Sequence, residues 1–339
     1  MLKLFSRAND IFTEYRTAWL FAFSHGLEGI DANEKTVNGF WEQEYITGFD
    51  PGSAPEAALV RESSFPGGRV SKLIYSSPVT TPIRENNLVH GRLYTPPRLE
   101  PLSGRPALLI IPGWLTQGYQ RYGEICRGFL EQGIDCLILA IPYHLERTPE
   151  GCFSGERFFA PDLYQIMEAM GQALADCRLA VSWLLANGAS GAGILGFDLG
   201  GLIGGLLATL EPRLAFASLW APIPWLERAL RHSSYYRPVK DRMFGSGIHW
   251  QELSNCLETF DPTRRQPVVG PDRIQFVQGS HDRIVRPSWT QRWWEEWGKP
   301  DLRRVPHGHF SLLKDRRVID STIEFTKSVL INHTGLPTE

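Results

Sequence analysis

The sequence lacks the features of a membrane-spanning or disulfide-bonded protein. No uninterrupted apolar run reaches the roughly 20 residues that a transmembrane helix needs. Its five cysteines are odd in number and widely spaced, and no C-x-x-C pair indicates a zinc site or a redox motif. We therefore predict that the cysteines are reduced and mostly buried.

An excess of charge of one sign is missing as well. The chain carries 35 basic and 37 acidic residues, for a formal net charge of −2, which gives no electrostatic reason to expect nucleic acid or an anionic membrane as a partner. No phosphate-binding loop, dinucleotide fingerprint or H-E-x-x-H spacing is present. We expect a small-molecule substrate, no metal and no cofactor, and leave a homodimer open.

The N-terminal region contains AWLFAFSHGL, which is apolar enough to resemble the core of a signal peptide. Asp10, Glu14 and Arg16 precede it, and no small-residue cleavage site follows cleanly. An amphipathic first helix explains the stretch better. A cytoplasmic protein is the resulting prediction.

Short apolar runs indicate a parallel sheet. From residue 107 they alternate with segments of helical spacing, which is typical of parallel strands buried on both faces. The runs are ALLIIP, DCLILAIP, AGILGF, AFASLWAP, RIQFVQG and, more weakly, RRVPHGHF. Before them, SKLIYSSPV and NNLVHGRLYTPP predict a β-hairpin. The predicted fold class is α/β, with a mostly parallel central sheet and helices on both faces.

Composition divides the chain into regions. Residues 1–65 are predicted as an N-terminal helical extension and a linker, because helical spacing gives way to the Pro/Gly/Ala-rich FDPGSAPEAA. Residues 66–335 are predicted as one α/β domain. Within it, about fifty residues after the WAP at 220–222 are too many for a simple crossover, so we predict a helical cap or lid at about 223–270.

The main chemical signal is an acidic residue between two glycines. Residues 194–201 read I-L-G-F-D-L-G-G, an apolar strand followed by a small-residue helix start. Glycine is needed at 196 and 200 because a Cβ would clash in so tight a turn. This is the context of a nucleophile elbow, where a sharp turn lifts one side chain above the sheet. Here that side chain is Asp198.

From about residue 70 to residue 330, the sequence resembles the α/β-hydrolase superfamily. Its chain order of nucleophile, acid and histidine fits Asp198, then Asp282 in QGSHDRIVRP, then His309 in PHGHF. Each follows a predicted strand, which favours catalytic roles over a turn aspartate and a surface histidine. The competing His307 precedes Gly308 and is interpreted as a loop residue.

The resemblance also implies an oxyanion hole. I-P-G-W at 111–114 follows the first parallel strand, where these enzymes place an oxyanion loop. The backbone N–H groups of Trp114 and Leu199 would then stabilise a tetrahedral oxyanion.

The aspartate implies a particular chemistry. It is already anionic at neutral pH and can attack without a general base. In haloalkane dehalogenases and epoxide hydrolases, the branch that this arrangement resembles, the aspartate forms an alkyl ester, and a histidine activates the water that hydrolyses it. Asp198, His309 and Asp282 would play these roles toward an epoxide, haloalkane, lactone or ester-like small molecule. Two carboxylates beside His309 should favour its imidazolium and raise its pKa.

Several residues separate the substrate classes. Leu199 weakens the dehalogenase interpretation, because a tryptophan usually holds the halide at that position; the indole of Trp114 would be a single replacement donor. Tyr235 and Tyr236, in the predicted cap, are candidate acids for epoxide opening, but an adjacent pair should bring at most one hydroxyl to the site.

The segment PYHLERTPEGCFSGERFFAPDL is similar to serine-dependent, esterase-like members of the superfamily. It places His144 and Arg147 where substrate groups would be met. Arg147 could bind a substrate carboxylate or pair with a neighbouring acid.

Two other functions remain open. The protein could be a lyase, cyclase or isomerase without cofactor, in which Asp198 or His309 moves a proton and no ester forms. It could also be an altered esterase relative, natural or engineered, that only binds a ligand. A charge-oriented histidine argues against pure binding.

Overall fold

A nine-stranded sheet forms the centre of the computed structural model, which describes residues 2–23 and 53–334. The strand order is β1-β2-β3-β5-β4-β6-β7-β8-β9. The strands are β1 (Ala57–Phe65), β2 (Gly68–Ser76), β3 (Leu88–Thr95), β4 (Ala107–Ile111), β5 (Asp135–Leu139), β6 (Ala192–Phe197), β7 (Leu214–Trp220), β8 (Ile274–Gly279) and β9 (Asp301–Val305). From β5 to β9 in this order all neighbours are parallel, whereas β1, β2 and β3 join antiparallel at one edge.

Helices cover the sheet and one of its edges. They are α1 (Leu2–Phe23), α2 (Gly123–Leu130), α3 (Leu163–Ala186), α4 (Leu199–Leu210), α5 (Leu226–His232), α6 (Arg237–Gly245), α7 (Trp250–Glu258), α8 (Pro287–Glu296) and α9 (Arg316–Thr334). Helices α2 and α9 pack together against the sheet, and α3 packs with α4. Every residue of β4, β5, β6 and β8 is buried, as continuous apolar runs between two helix layers require. The predicted α/β fold class is confirmed.

The sheet begins earlier than the sequence predicts. Strand β1 pairs antiparallel with β2, from Ala57 opposite Tyr75 to Phe65 opposite Gly68, although residues 57–65 fall in the predicted linker. An edge strand has one free side, and Leu59 and Val60 are exposed, so the continuous apolar run of a central strand is absent. Residues 24–52 of the predicted extension and linker lie outside the described residues.

The segment between β7 and β8 is helical and lies over the carboxyl edge of the sheet. It contains α5, α6, α7 and a 3-10 turn at Ser234–Tyr236, which contacts α1. Helix α1 also contacts a second 3-10 turn, Phe310–Lys314. Helix α1, from the N-terminal part of the chain, therefore packs against two turns from its C-terminal half. None of the helices within residues 2–23 and 53–334 is long and apolar enough to cross a bilayer.

Candidate active site

The turn between β6 and α4 sets Asp198 above the sheet. A Cβ at Gly196 would overlap the carbonyl oxygen of Gly200, and one at Gly200 would overlap the carbonyl oxygen of Ile111. Asp198 itself has φ 56° and ψ −116°, a backbone conformation that residues other than glycine rarely adopt. Such backbone strain costs about 1–3 kcal/mol and persists only where the surrounding structure imposes it. The sequence therefore folds into a strained elbow that presents a carboxylate.

Three side chains from separate loops meet at this elbow. Asp282 follows β8 and His309 follows β9, so both lie at carboxyl ends of parallel strands. The Nδ1 of His309 lies 2.7 Å from Asp282 Oδ2, and its Nε2 lies 3.2 Å from Asp198 Oδ1. The side chains of Asp198 and His309 are fully buried, and that of Asp282 is almost so. The structure thus brings together all three residues that the chain order predicted.

Backbone contacts orient Asp282. Its Oδ1 accepts hydrogen bonds from the N–H groups of Ile284, at 2.8 Å, and Val285, at 2.9 Å. The second oxygen, Oδ2, is left to face His309. This fixes the imidazole by its Nδ1 and directs Nε2 toward the elbow.

The two contacts of the imidazole differ in kind. The Nδ1 contact with Asp282 has hydrogen-bond geometry, whereas Nε2 is close to Asp198 Oδ1 but forms no aligned hydrogen bond with any described residue. Nε2 and Asp198 therefore form a close ion pair.

One of the two predicted oxyanion donors contacts the carboxylate, and the other begins the helix that follows it. The backbone N–H of Trp114 donates to Asp198 Oδ2 at 3.0 Å. Leu199 is the first residue of α4, where N–H groups have no acceptor within the helix. The loop carrying Trp114 is held in turn by Gly113 N–H, which donates to the Tyr122 hydroxyl at 2.9 Å.

Of the two predicted cap tyrosines, the structure places one at the carboxylate. The hydroxyl of Tyr236 donates to Asp198 Oδ1 at 3.3 Å, and its ring stacks on Trp114 with centroids 4.9 Å apart. Tyr235 packs edge-on against Trp114, and its hydroxyl faces Thr17 of α1. Only Tyr236 is therefore positioned to act on Asp198.

Electrostatics favour a charged histidine at this site. Burial opposes the imidazolium, but the carboxylates of Asp282 and Asp198 outweigh burial and raise the pKa of His309 to about 10. For Tyr236, burial and then the neighbouring Asp198 raise the pKa well above the usual value. The resting site is therefore an aspartate and imidazolium pair beside a neutral phenol.

His144 is not placed as a substrate contact, contrary to the prediction. It is fully buried; its Nε2 accepts the Leu115 N–H at 3.2 Å, so Nδ1 carries the proton toward the Pro142 carbonyl at 2.8 Å. Burial lowers the pKa of His144 to about 4. A neutral His144 therefore fixes the backbone next to Trp114.

Arg147 follows the second of its two alternatives, a pair with a neighbouring acid. Its Nη1 lies 2.7 Å from Asp176 Oδ2 and also donates to the Ala140 carbonyl, and Nη2 donates to the Asn86 carbonyl. Both partners of the ion pair are buried. Arg147 ties helix α3 to β5 and is not available to a substrate.

Two further expectations are settled by hydrogen bonds. The indole N–H of Trp114 donates to the Gly155 carbonyl at 2.8 Å, so it is not free to hold a halide. His307 pairs with Asp315, away from the elbow, as expected for a loop residue.

One residue of the site escaped the sequence analysis. Asp10 of α1 is fully buried, and its Oδ2 accepts the backbone N–H of His309 at 3.2 Å. With Ser6, Thr13 and Thr17 it forms a polar stripe on one face of α1, and all four are buried. Polar residues at helical spacing normally face solvent, so this spacing would predict that the Asp10 face of α1 is exposed, whereas it is buried.

Comparison with known proteins identifies a family for this chain. The model of the family alpha/beta hydrolase domain containing 18 matches residues 63–259, more than half of the chain. The chain belongs to this family. The region matched to alpha/beta hydrolase domain containing 18 carries Trp114, Asp198 and Tyr236, whereas Asp282 and His309 follow it.

Individual relatives cover parts of the chain. Rv2627c of Mycobacterium tuberculosis is 30% identical over 192 residues, 56% of this chain and 45% of that protein, so the match spans about half of its length. YdjC of Bacillus subtilis is 22% identical over 120 residues, 35% of this chain and 93% of YdjC.

Two solved structures share the fold across most of both chains. The acetyl xylan esterase of Paenibacillus sp. R4 has a TM-score of 0.62 at 16% identity, covering 92% of this chain and 98% of its own. Acetyl xylan esterase 1 of Thermoanaerobacterium sp. JW/SL YS485 has a TM-score of 0.62 at 15% identity, covering 86% and 93%. At these identities the likeness shows the fold and no more.

Proposed function

We propose that this protein is a hydrolase that works through a covalent ester on Asp198. The observation that carries this proposal is the unequal environment of the two carboxylate oxygens. Oδ2 accepts the N–H of Trp114, where an oxyanion would be stabilised, and Oδ1 faces His309 and Tyr236. A carboxylate held by one oxygen presents the other as a nucleophile.

An epoxide is the substrate class that fits these contacts best. Asp198 Oδ1 would attack a ring carbon while that carbon's bond to the ring oxygen breaks, and the Tyr236 hydroxyl would give the ring oxygen its proton. A halide leaving group would lack its usual donors, because residue 199 is leucine and the Trp114 indole is bonded to Gly155. The first product is a hydroxyalkyl ester of Asp198.

Ester formation itself would prepare the second step. It removes the charge of Asp198, one of the two carboxylates that hold the proton on His309, and so lowers the pKa of the imidazole. The proton then passes to the Tyr236 phenolate, and neutral His309 takes a proton from water as that water attacks the ester carbonyl.

Collapse of the tetrahedral intermediate would complete the cycle. The N–H groups of Trp114 and Leu199 would stabilise its oxyanion. The departing alkoxide takes the proton from His309 and leaves as a diol, and the new Asp198 carboxyl returns a proton to the imidazole. The net reaction adds one water to one epoxide.

The pH dependence should have a fixed sign. Because ester hydrolysis needs neutral His309, and Asp282 still favours its imidazolium after Asp198 has been esterified, kcat for styrene oxide should fall as pH is lowered, approaching tenfold per pH unit on the acid limb. Alkylation needs only the Asp198 anion and the proton of Tyr236, whose pKa is raised well above its usual value, so the single-turnover rate of ester formation should vary less. A kcat that stays flat or rises between about pH 8 and pH 6 contradicts this assignment.

Oxygen labelling tests the proposal directly. We expect the wild-type protein, in excess over styrene oxide in ¹⁸O-labelled water, to carry the label into the Asp198 peptide, because water attacks the aspartyl carbonyl and not the substrate. Asp198→Asn should form neither diol nor labelled peptide. Diol formation with the label only in the diol would show direct attack by water and contradict the ester.

A second candidate rests on the complete burial of Asp198 and His309. A buried network of ion pairs is also what an esterase relative would show if its nucleophile had been replaced and only ligand binding remained. In that case Asp198→Ser would rebuild a serine triad and hydrolyse p-nitrophenyl acetate, while the wild-type protein would open no epoxide. Wild-type epoxide turnover would exclude this candidate.

A further inference from the structure

Helix α1 packs with its polarity inverted. Its buried face consists mainly of polar residues: Ser6, Asp10, Thr13 and Thr17. Its exposed face carries large apolar residues: Ile11, Phe12, Tyr15 and Trp19. A surface helix normally turns its apolar stripe inward. The polar face must therefore be directed inward by something that it contacts.

The contact is the loop that carries His309. Asp10 Oδ2 accepts the backbone N–H of His309 at 3.2 Å. A Cβ at Gly308 would lie 2.5 Å from that same oxygen, so the absence of a side chain at Gly308 lets the carboxylate approach. Two adjacent residues of the loop are thus fitted to Asp10.

Burying Asp10 costs folding free energy. It is fully buried, and its Oδ1 has no hydrogen-bond partner among the described residues. An incompletely paired carboxylate in the interior costs several kcal/mol. Packing alone does not explain it, because an apolar residue would fill the same space without this cost.

The charges around Asp10 connect it to the triad. Burial and then Asp282 raise the pKa of Asp10 to about 6, while His309 and the N–H groups of His309 and Phe310 lower it. The 3-10 turn Ser234–Tyr236, which also contacts α1, presents the neutral phenol of Tyr235. The imidazole is thus the cation whose attraction favours an ionised Asp10.

We propose that Asp10 is a positioning residue of the active site, which fixes the backbone of His309 and adds a third carboxylate beside its imidazolium. Helix α1 is then part of the site and not an appendage. The catalytic consequence rests on the proposed function, but the placement and the electrostatic effect do not.

The test measures the titration of the His309 ring by NMR, without any substrate. In Asp10→Asn, whose amide oxygen can still accept the His309 N–H, the pKa of His309 should fall by about half a pH unit or more relative to wild type. Arg7→Gln, which removes an exposed charge from the same helix, should leave it unchanged. An unchanged His309 titration in Asp10→Asn would overturn the proposal.

Amide exchange separates positioning from charge. Asp10→Ala should speed hydrogen–deuterium exchange in the peptide spanning residues 305–312, whereas Asp10→Asn should not; equal exchange in wild type and Asp10→Ala would also overturn the proposal. If Asp10→Asn does not fold, Asp10→Ser provides the same titration.

With styrene oxide, the acid limb of kcat should move to lower pH in Asp10→Asn. A shifted titration without wild-type turnover would refute the proposed function and leave the role of Asp10 intact.

Discussion

His309→Gln should convert the protein into a trap for its substrate. Alkylation needs only the anion of Asp198 and a proton donor, whereas ester hydrolysis needs the imidazole as a base. Glutamine is polar but cannot take the proton from water, so turnover of styrene oxide should fall by roughly 10³-fold. The ester should persist, and intact-protein mass spectrometry should find one substrate-derived adduct per chain, located on the Asp198 peptide.

The neighbouring histidine supplies a matched control. His307 lies on the same loop but pairs with Asp315, so His307→Gln should keep turnover and accumulate no adduct. In a lyase or isomerase that uses Asp198 or His309 to move a proton, His309→Gln would lose activity without gaining mass. Wild-type turnover together with no adduct in His309→Gln would therefore rule out Asp198 as a nucleophile.

Arg147→Met should lower the free energy of unfolding by about 3–5 kcal/mol, because it leaves Asp176 buried without its cation. Burial raises the pKa of Asp176, and Arg147 opposes that rise. Loss of Arg147 should raise the pKa further, so the carboxyl binds a proton more readily in the folded state. The deficit in urea unfolding should then be larger at about pH 8 than at about pH 5, where protonation relieves the buried charge.

Two comparison variants define the result. Arg147→Met combined with Asp176→Asn should recover part of the lost stability, since the unpaired charge is gone. Arg292→Met breaks an exposed pair with Glu296 and should cost less than about 1 kcal/mol. If Arg147→Met lowers the free energy of unfolding no more than Arg292→Met does, the buried pair of Arg147 and Asp176 does not stabilise this fold.

Strands buried on both faces could be predicted from the sequence. Five apolar runs marked β4 to β8, because a strand between two helix layers has no polar side. The run that marked β9 was weaker, and DLRRV is a partly exposed edge strand. The elbow was predictable because its glycines are forced by close backbone contacts. The order of the strands then placed Asp282 and His309 at the same edge as Asp198. Their catalytic roles remain predictions that the geometry supports.

Other features depend on partners that are distant in the sequence. A buried arginine and one that binds substrate look the same in the sequence, and only the position of Asp176 on α3 decides for Arg147. His144 presents the same ambiguity, which the Leu115 and Pro142 contacts resolve. For α1, the polar stripe is real, but periodicity cannot tell whether a polar face meets water or a charged site. An edge strand such as β1 likewise lacks the pattern of a central one.

The contact between Asp10 and His309 has a consequence for the biogenesis of the protein. The two residues are separated by 299 positions, so one partner is synthesised long before the other leaves the ribosome. The polar face of α1, which carries Asp10, cannot complete its contacts until β9 and the following loop have joined the sheet. Contacts between such distant segments form late because loop closure must precede them. A nascent chain can therefore have a folded nucleophile elbow and still be catalytically inactive. The active site should become complete when α1 docks.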